Sequence, residues 1–145
     1  MSSSLPVREA IPGDVPSLTR LIQQLGYPLS ESVVSANLLK LLETKQETIL
    51  VAVHEEEVIA WIGMMQTVQL TTGPMAEITG LIVDAAWQRK GVGRLLVEKA
   101  KEWSRKRNLP VLRVRSNLRR SDAHDFYNGL GFTTLKDQRV FETRL

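Results

Sequence analysis

The sequence predicts an α/β fold: a mixed, mostly antiparallel sheet with flanking helices, in the order βααβββαβαβ(β). Three observations carry that reading. Apolar residues recur at helical spacing in four stretches, and β-branched or alternating runs fill the segments between them. The turns joining the middle strands are short, as hairpins require. A pair of glycines then stands between a strand and a long helix, as a crossover requires. At 145 residues, with no internal repeat or linker-like stretch, the chain is expected to be a single domain, 1–145.

Val7-Arg8-Glu9-Ala10 reads as a short opening strand. The turn Pro12-Gly13-Asp14 offers Asp14 as a helix N-cap, and Val15, Leu18, Leu21, Ile22 and Leu25 follow at helical spacing until Gly26 and Pro28 end the run. Ser30 caps a second helix, with Val34, Leu38, Leu41 and Leu42 expected on its inner face. The period then changes. Thr48 to Val53 is a β-branched strand, Glu55-Glu56-Glu57 a hairpin turn, and Val58 to about Val68 a longer strand. Gly73-Pro74 turns into the next strand, Met75 to Val83. From Gly91 a long helix places Val92, Leu95, Leu96, Ala100 and Trp103 inside, with Glu102 and Lys106 as an outward i,i+4 pair, and Asn108-Leu109-Pro110 stops it. Val111 to Arg115 is a strand, Ser121 to Leu130 a helix stopped by Gly131, and the tail from Phe132 is expected to carry one or two strands.

Apolar residues make up 43% and charged residues 24% of the chain, which argues against wholesale disorder. The absence of cysteine excludes disulfides, iron–sulfur clusters, thiolate zinc and a cysteine nucleophile. His54 and His124 are the only histidines, so no metal centre is expected. The start, Met1 to Pro6, lacks the basic and apolar regions of a signal peptide, and no apolar run approaches the roughly 20 residues that span a bilayer. A cytoplasmic protein without membrane partners is expected. The net charge of +3 conceals an asymmetry, because residues 88–120 carry twelve bases and two acids while the remainder is at −7. Such a separation fits one region meeting polyanionic chemistry, or a solvated basic helix face.

The densest signal is Gln88-Arg89-Lys90-Gly91-Val92-Gly93-Arg94-Leu95-Leu96, at the junction of a strand and the long helix. Two glycines there let backbone approach a ligand, and the free N–H groups and positive dipole of a helix start favour phosphate. A P-loop is excluded because no Gly-Lys-Ser/Thr follows, and a dinucleotide fingerprint because its third glycine would be Leu96. The remaining pattern, Q-x-x-G-x-G, resembles the pyrophosphate loop of the GNAT superfamily of acetyl-CoA-dependent N-acetyltransferases. Ala76-Glu77-Ile78-Thr79-Gly80-Leu81-Ile82-Val83 resembles the strand leading into that loop. Asn117 with Arg120 to Phe132 is similar to the family's closing motif N…R-x-x-A-H-x-F-Y-x-x-x-G-F. The resemblance runs from about Val7 to the C-terminus.

That resemblance implies acetyl-CoA as cosubstrate, with Leu81, Ile82 and Val83 offering backbone to the pantetheine arm and a backbone N–H near Val83 polarising the thioester. Gln88, Arg89, Lys90, Gly91, Val92, Gly93 and Arg94 would take the pyrophosphate, and Asn117 and Arg120 the rest of the cofactor. Gly80 suggests a strand bulge, or close packing against a neighbour. An alkylamine of pKa about 10.4 is protonated at pH 7, and freeing its lone pair costs about 4.6 kcal/mol, so a carboxylate base is needed. Glu77, fourteen residues before Gly91, holds the offset at which histone-acetylating members of the family place their catalytic glutamate, against an exposed strand glutamate with ordered water or another residue as base. Tyr127 is implied as the acid that protonates the leaving thiolate, against a core-aromatic alternative. His124 reads as a structural histidine, and nothing is read into His54.

No serine elbow or cysteine supports a covalent intermediate, so direct attack in a ternary complex is expected. The acceptor is a primary amine, with small molecules such as aminoglycosides or polyamines favoured over a protein amine. Its site would involve Leu25-Gly26-Tyr27-Pro28 and Met64 to Pro74, with Tyr27, Trp61, Met64 and Met65 as an apolar wall. A catalytically silent acyl-CoA-binding domain is the alternative, and a nucleic-acid-binding module is disfavoured because residues 88–120 hold a single aromatic, Trp103. A homodimer is left open.

Overall fold

The computed structural model describes residues 5–116 and 121–145. They form two compact units, one ending at Val114 and one running from Arg115 to Leu145. In the first, β1 (Val7–Glu9), β2 (Glu47–His54), β3 (Glu57–Gln69), β4 (Gly73–Val83) and β5 (Leu112–Val114) lie side by side in chain order. The first four pair antiparallel, and β5 joins β4 in parallel after the crossover helix α3 (Val92–Lys106). Between β1 and β2 come α1 (Val15–Gln24) and α2 (Glu31–Leu42). The two-residue hairpin between β2 and β3 places both Glu55 (φ 49°) and Glu56 (φ 68°) in the left-handed region.

The sheet is covered on both faces, and strand alternation decides which residues each helix layer meets. Val15, Leu18 and Leu21 of α1 and Val34 and Leu38 of α2 pack with Val51, Val58 and Ile82, with Trp61 half-buried against them. The intervening positions Ala52, Ala60, Ile62 and Met64 are buried on the other face, as are Val92, Leu96, Val97 and Ala100 of α3. Full burial of each large aliphatic side chain stabilises the fold by about 1.5–3 kcal/mol. Among the described residues, no helix is long and apolar enough to cross a membrane.

The elements fall where the sequence predicts them, with local corrections. Ser30 caps α2 as expected, its Oγ accepting the Val33 N–H at 3.3 Å. Asp14 does not cap α1 with its side chain. Its carboxylate instead accepts two bonds from Arg8, at 2.8 and 2.9 Å, and the Ile11 N–H at 2.9 Å, closing the 3₁₀ turn Pro12–Asp14. Leu42 is 43% exposed rather than inside, because eight residues at ~100° each carry it about 80° round the helix from Val34. Glu102 pairs back with Lys99 at 3.6 Å instead of forward with Lys106. Trp103 is half-buried, with the Arg107 guanidinium 4.3 Å from its ring centroid.

The second unit contains α4 (Ser121–Gly129), after which Gly131 adopts φ 91°. The one or two strands expected from Phe132 onward are not formed: residues 132–145 carry no regular element. A strand exists only through its ladder, and among the described residues none pairs with this stretch, where Val140 and Phe141 are 88% and 87% exposed.

Candidate active site

The geometry of interest begins where β4 loses a neighbour. β5 pairs with β4 only at Ala76, Glu77 and Ile78. Beyond Ile78, among the described residues, β4 has β3 on one side and no strand on the other. At the same point the β3–β4 register slips: Gly63 faces Gly80 but Met64 faces Ile78, so Thr79 is an extra residue. The bulge therefore lies at Thr79, one position before the glycine that signals it in sequence.

The bulge reverses the hydrogen-bonding phase of the strand. Before it, the Ala76 N–H points toward the β5 side and donates to the Val111 carbonyl at 2.9 Å. After it, the Asp84 N–H points toward β3 and donates to the Ile59 carbonyl at 2.8 Å. Alternation then directs the Ile82 backbone to β3 and that of Leu81 and Val83 to the open side. Gly80 also has a packing reason, since the ring of Trp61 lies where its Cβ would be. Both readings of that glycine hold.

From the open edge the chain enters a tightly bonded turn. The Asp84 carboxylate accepts the Ala86 N–H at 3.0 Å and the Arg20 guanidinium at 2.7 Å. These bonds, the amide first and the arginine second, hold its pKa below the ordinary carboxylate value. The Gln24 side-chain oxygen accepts the Ala85 N–H at 3.1 Å, and the Gln88 amide donates to the Val83 carbonyl at 3.5 Å. Arg89 (φ 62°) and Gly91 (φ 83°) are both left-handed and turn the chain into α3. Gly91 is the N-cap and brings no capping side chain. The first bond of the helix ladder runs from the Leu95 N–H to the Gly91 carbonyl, 3.0 Å, so the N–H groups of Val92, Gly93 and Arg94 precede it. Arg89, Lys90 and Arg94 are exposed around this terminus. Lys90 places its ammonium 5.2 Å from the Trp87 ring centroid, and His54 lies 4.7 Å from the same ring. Oriented amides, a helix dipole and three cations form a cradle for an oligoanion.

Glu77 is half-buried and sits opposite Met65, on the face that Trp61 occupies, since alternation along β3 from 61 to 65 is unbroken. Met64, 1% exposed, points to the other face and cannot join a wall with Trp61 and Met65. At the α1–α2 connection an open depression of about 460 Å³ is lined by Gln23, Gly26, Tyr27, Pro28, Leu29 and Ser30, and the Gln23 amide braces it by donating to the Leu29 carbonyl at 2.9 Å. In the second unit Tyr127 packs edge-on against Phe126, 5.1 Å between centroids, and Phe132, 5.5 Å. Asn117 and Arg120 lie outside the described residues. Arg20, Gln24 and Trp87 were not marked by sequence reasoning. The contacts of Arg20 and Gln24 are 64 and 61 positions away, where no local pattern reaches.

Residues 17–132 match the sequence profile described as the acetyltransferase (GNAT) family. The chain belongs to that family. The GNAT chain is 35% identical over 91 residues to the uncharacterized N-acetyltransferase YhdJ of Bacillus subtilis (strain 168), a match covering 61% of this chain and 64% of that relative. Its fold is shared with a solved protein described as a transcriptional regulator from Bacillus halodurans C-125, with TM-score 0.86, 24% identity and coverage of 96% and 99% of the two chains. It is also shared with the aminoglycoside 6'-N-acetyltransferase AAC(6')-IG of Acinetobacter haemolyticus, with TM-score 0.84, 19% identity and coverage of 97% and 99%. The mixed, mostly antiparallel five-stranded sheet is thus that of GNAT structures.

Proposed function

We propose that this GNAT chain, acting as one domain over residues 1–145, moves an acetyl group from acetyl-CoA to a primary amine by direct attack in a ternary complex. One observation carries the reading: the open edge of β4 leads, within ten residues of Leu81, to a basic, amide-rich helix start. Coenzyme A pairs a peptide-like arm with a pyrophosphate, and the strand edge and the cradle match those two parts in order. Leu81 and Val83 offer backbone to the arm on either side of Ile82, whose side chain anchors the strand in the core. Gln88, Arg89, Lys90, Gly91, Val92, Gly93 and Arg94 take the pyrophosphate, and Asn117 and Arg120 complete cofactor binding. The +10 charge of residues 88–120 fits that ligand.

In this mechanism Glu77 accepts the proton of the incoming ammonium, directly or through water. The free amine attacks the thioester carbonyl while a backbone N–H near Val83 stabilises the oxyanion. The C–S bond then breaks, with Tyr127 giving a proton to the departing thiolate. The acceptor is a small amine entering beside the α1–α2 loop. The likeness to an aminoglycoside acetyltransferase supports a small molecule, and the −7 balance outside residues 88–120 favours a cationic one. The protein works in the cytoplasm without nucleic acid, membrane or metal, and a homodimer is compatible with this chemistry.

Release of free thiol from acetyl-CoA, followed against aminoglycosides, polyamines, amino acids and a lysine peptide, tests the proposal. Turnover with a small amine supports it. Coenzyme binding without turnover on any amine would convert the reading to a silent acyl-CoA-binding domain. With a good acceptor in hand, Tyr127→Phe and Glu77→Gln should each lower kcat, by roughly 10²-fold or more for a general acid or base.

A further inference from the structure

The turn that delivers the coenzyme loop is held partly by Asp84, which caps it, and partly from outside its own sequence. Its first two residues, Asp84 and Ala85, take side-chain contacts from α1, while the Trp87 ring lies against His54 and Lys90. Arg20 is the centre of this arrangement: Nη1 donates to the Asp84 carboxylate at 2.7 Å, and Nη2 to the Val58 carbonyl at 3.2 Å and to Glu57 at 3.3 Å. One turn on, Gln24 accepts the Ala85 N–H at 3.1 Å. Asp84 uses its other oxygen for the Ala86 N–H and its own N–H for Ile59. The entrance of the turn is therefore fixed twice, to β3 through Ile59 and to α1 through Arg20 and Gln24.

We propose that Arg20 and Gln24 are positioning residues for coenzyme binding, fixing the Asp84–Trp87 turn so that the amides of Val92, Gly93 and Arg94 converge on the pyrophosphate. Neither touches the cofactor. The backbone N–H groups of the cradle cannot adjust as its basic side chains can, so their contribution to affinity depends on where the preceding turn sets them down. The two left-handed residues Arg89 and Gly91 leave little slack between that turn and the helix. The inference rests on the coenzyme reading above.

Calorimetric titration with coenzyme A tests it, on wild type, Arg20→Met, Arg20→Lys and Gln24→Met. Losing the charge-assisted fork should raise the coenzyme Kd about tenfold, and losing the exposed single bond of Gln24 about threefold. Arg20→Lys, which keeps a cation beside Asp84, should recover much of the loss. A merely structural role would lower the melting temperature of the unliganded variants and leave the Kd of the folded protein unchanged. Gln24 is on the surface, so its replacement keeps the fold measurable even where Arg20→Met does not. Wild-type Kd values in both Met variants would overturn the positioning role while leaving the coenzyme reading intact. Failure of the wild type to bind coenzyme A would overturn that reading, and this inference with it.

Discussion

The indole of Trp61 fills the space that a side chain at position 80 would need. A Cβ built on Gly80 would stand 2.6 Å from Cη2 and 3.0 Å from Cζ3 of that ring. The ring has no easy retreat, because it is packed against the α1–α2 core, and its Nε1–H is buried with no partner among the described residues.

Gly80→Ala should therefore destabilise by about 1–3 kcal/mol through overpacking beside the bulge. Trp61→Phe removes the clashing half of the indole and its unpaired N–H, so in that background the cost of Gly80→Ala should fall below 1 kcal/mol. Urea melts of the four-member cycle measure the coupling. Additive losses would show that the ring is not what excludes a side chain at position 80.

The Arg8–Asp14 pair should shape the acid limb of stability. Bonds from Arg8, and then the Ile11 N–H, hold the nearly buried Asp14 carboxyl below its ordinary value, against an opposing effect of burial. A group depressed in the folded state stabilises above its unfolded pKa, about 3.9, and that contribution disappears as pH falls through the lower folded value. Asp14→Asn should cost about 1–2 kcal/mol at pH 7, reduced from the buried-pair figure because Arg8 is 41% exposed. The gap between variant and wild type in denaturant melts should narrow below pH 4.

The β2–β3 hairpin carries avoidable strain. Glu55 and Glu56 both occupy left-handed backbone that costs a non-glycine residue roughly 1–2 kcal/mol. Replacing the pair by Asn-Gly, which suits this turn, should stabilise by about 1 kcal/mol, or roughly 2–4 °C in melting temperature. Differential scanning calorimetry reads the shift directly.

Gly91→Ala should weaken coenzyme A binding about tenfold or more, because φ 83° at the N-cap is strained for any side chain and relief would redirect the first amides of α3. Isothermal titration at fixed salt gives the affinity. An unchanged Kd would show that the helix start is not the phosphate site.

Much of the fold was legible because it is built from local rules. Apolar spacing located α1, α2 and α3, the Glu55-Glu56-Glu57 run located the hairpin although Glu57 already belongs to β3, and Ser30 announced its helix. Several of the misreadings concern choices among competing partners. Asp14 had a helix to cap and an arginine six residues earlier, and the charged partner prevailed. Glu102 had a lysine on either side. Met64 and Met65 look alike in sequence, yet one register position sends them to opposite faces. The loop Gln88 to Arg94 was visible as a motif, while the braces from Arg20 and Gln24 were not, since tertiary contacts leave no periodic trace.

The open stretch of β4 has a consequence for handling the protein. Among the described residues no strand covers this short run of edge, and an exposed edge is a template for any extended chain, including another copy of this one. The bulge at Thr79 and the single turn that follows Val83 keep the run to a few residues, too short to seed a stable intermolecular sheet. Concentrated protein should nonetheless keep better with coenzyme A present, because a ligand lying along Leu81 and Val83 would close the edge to its neighbours.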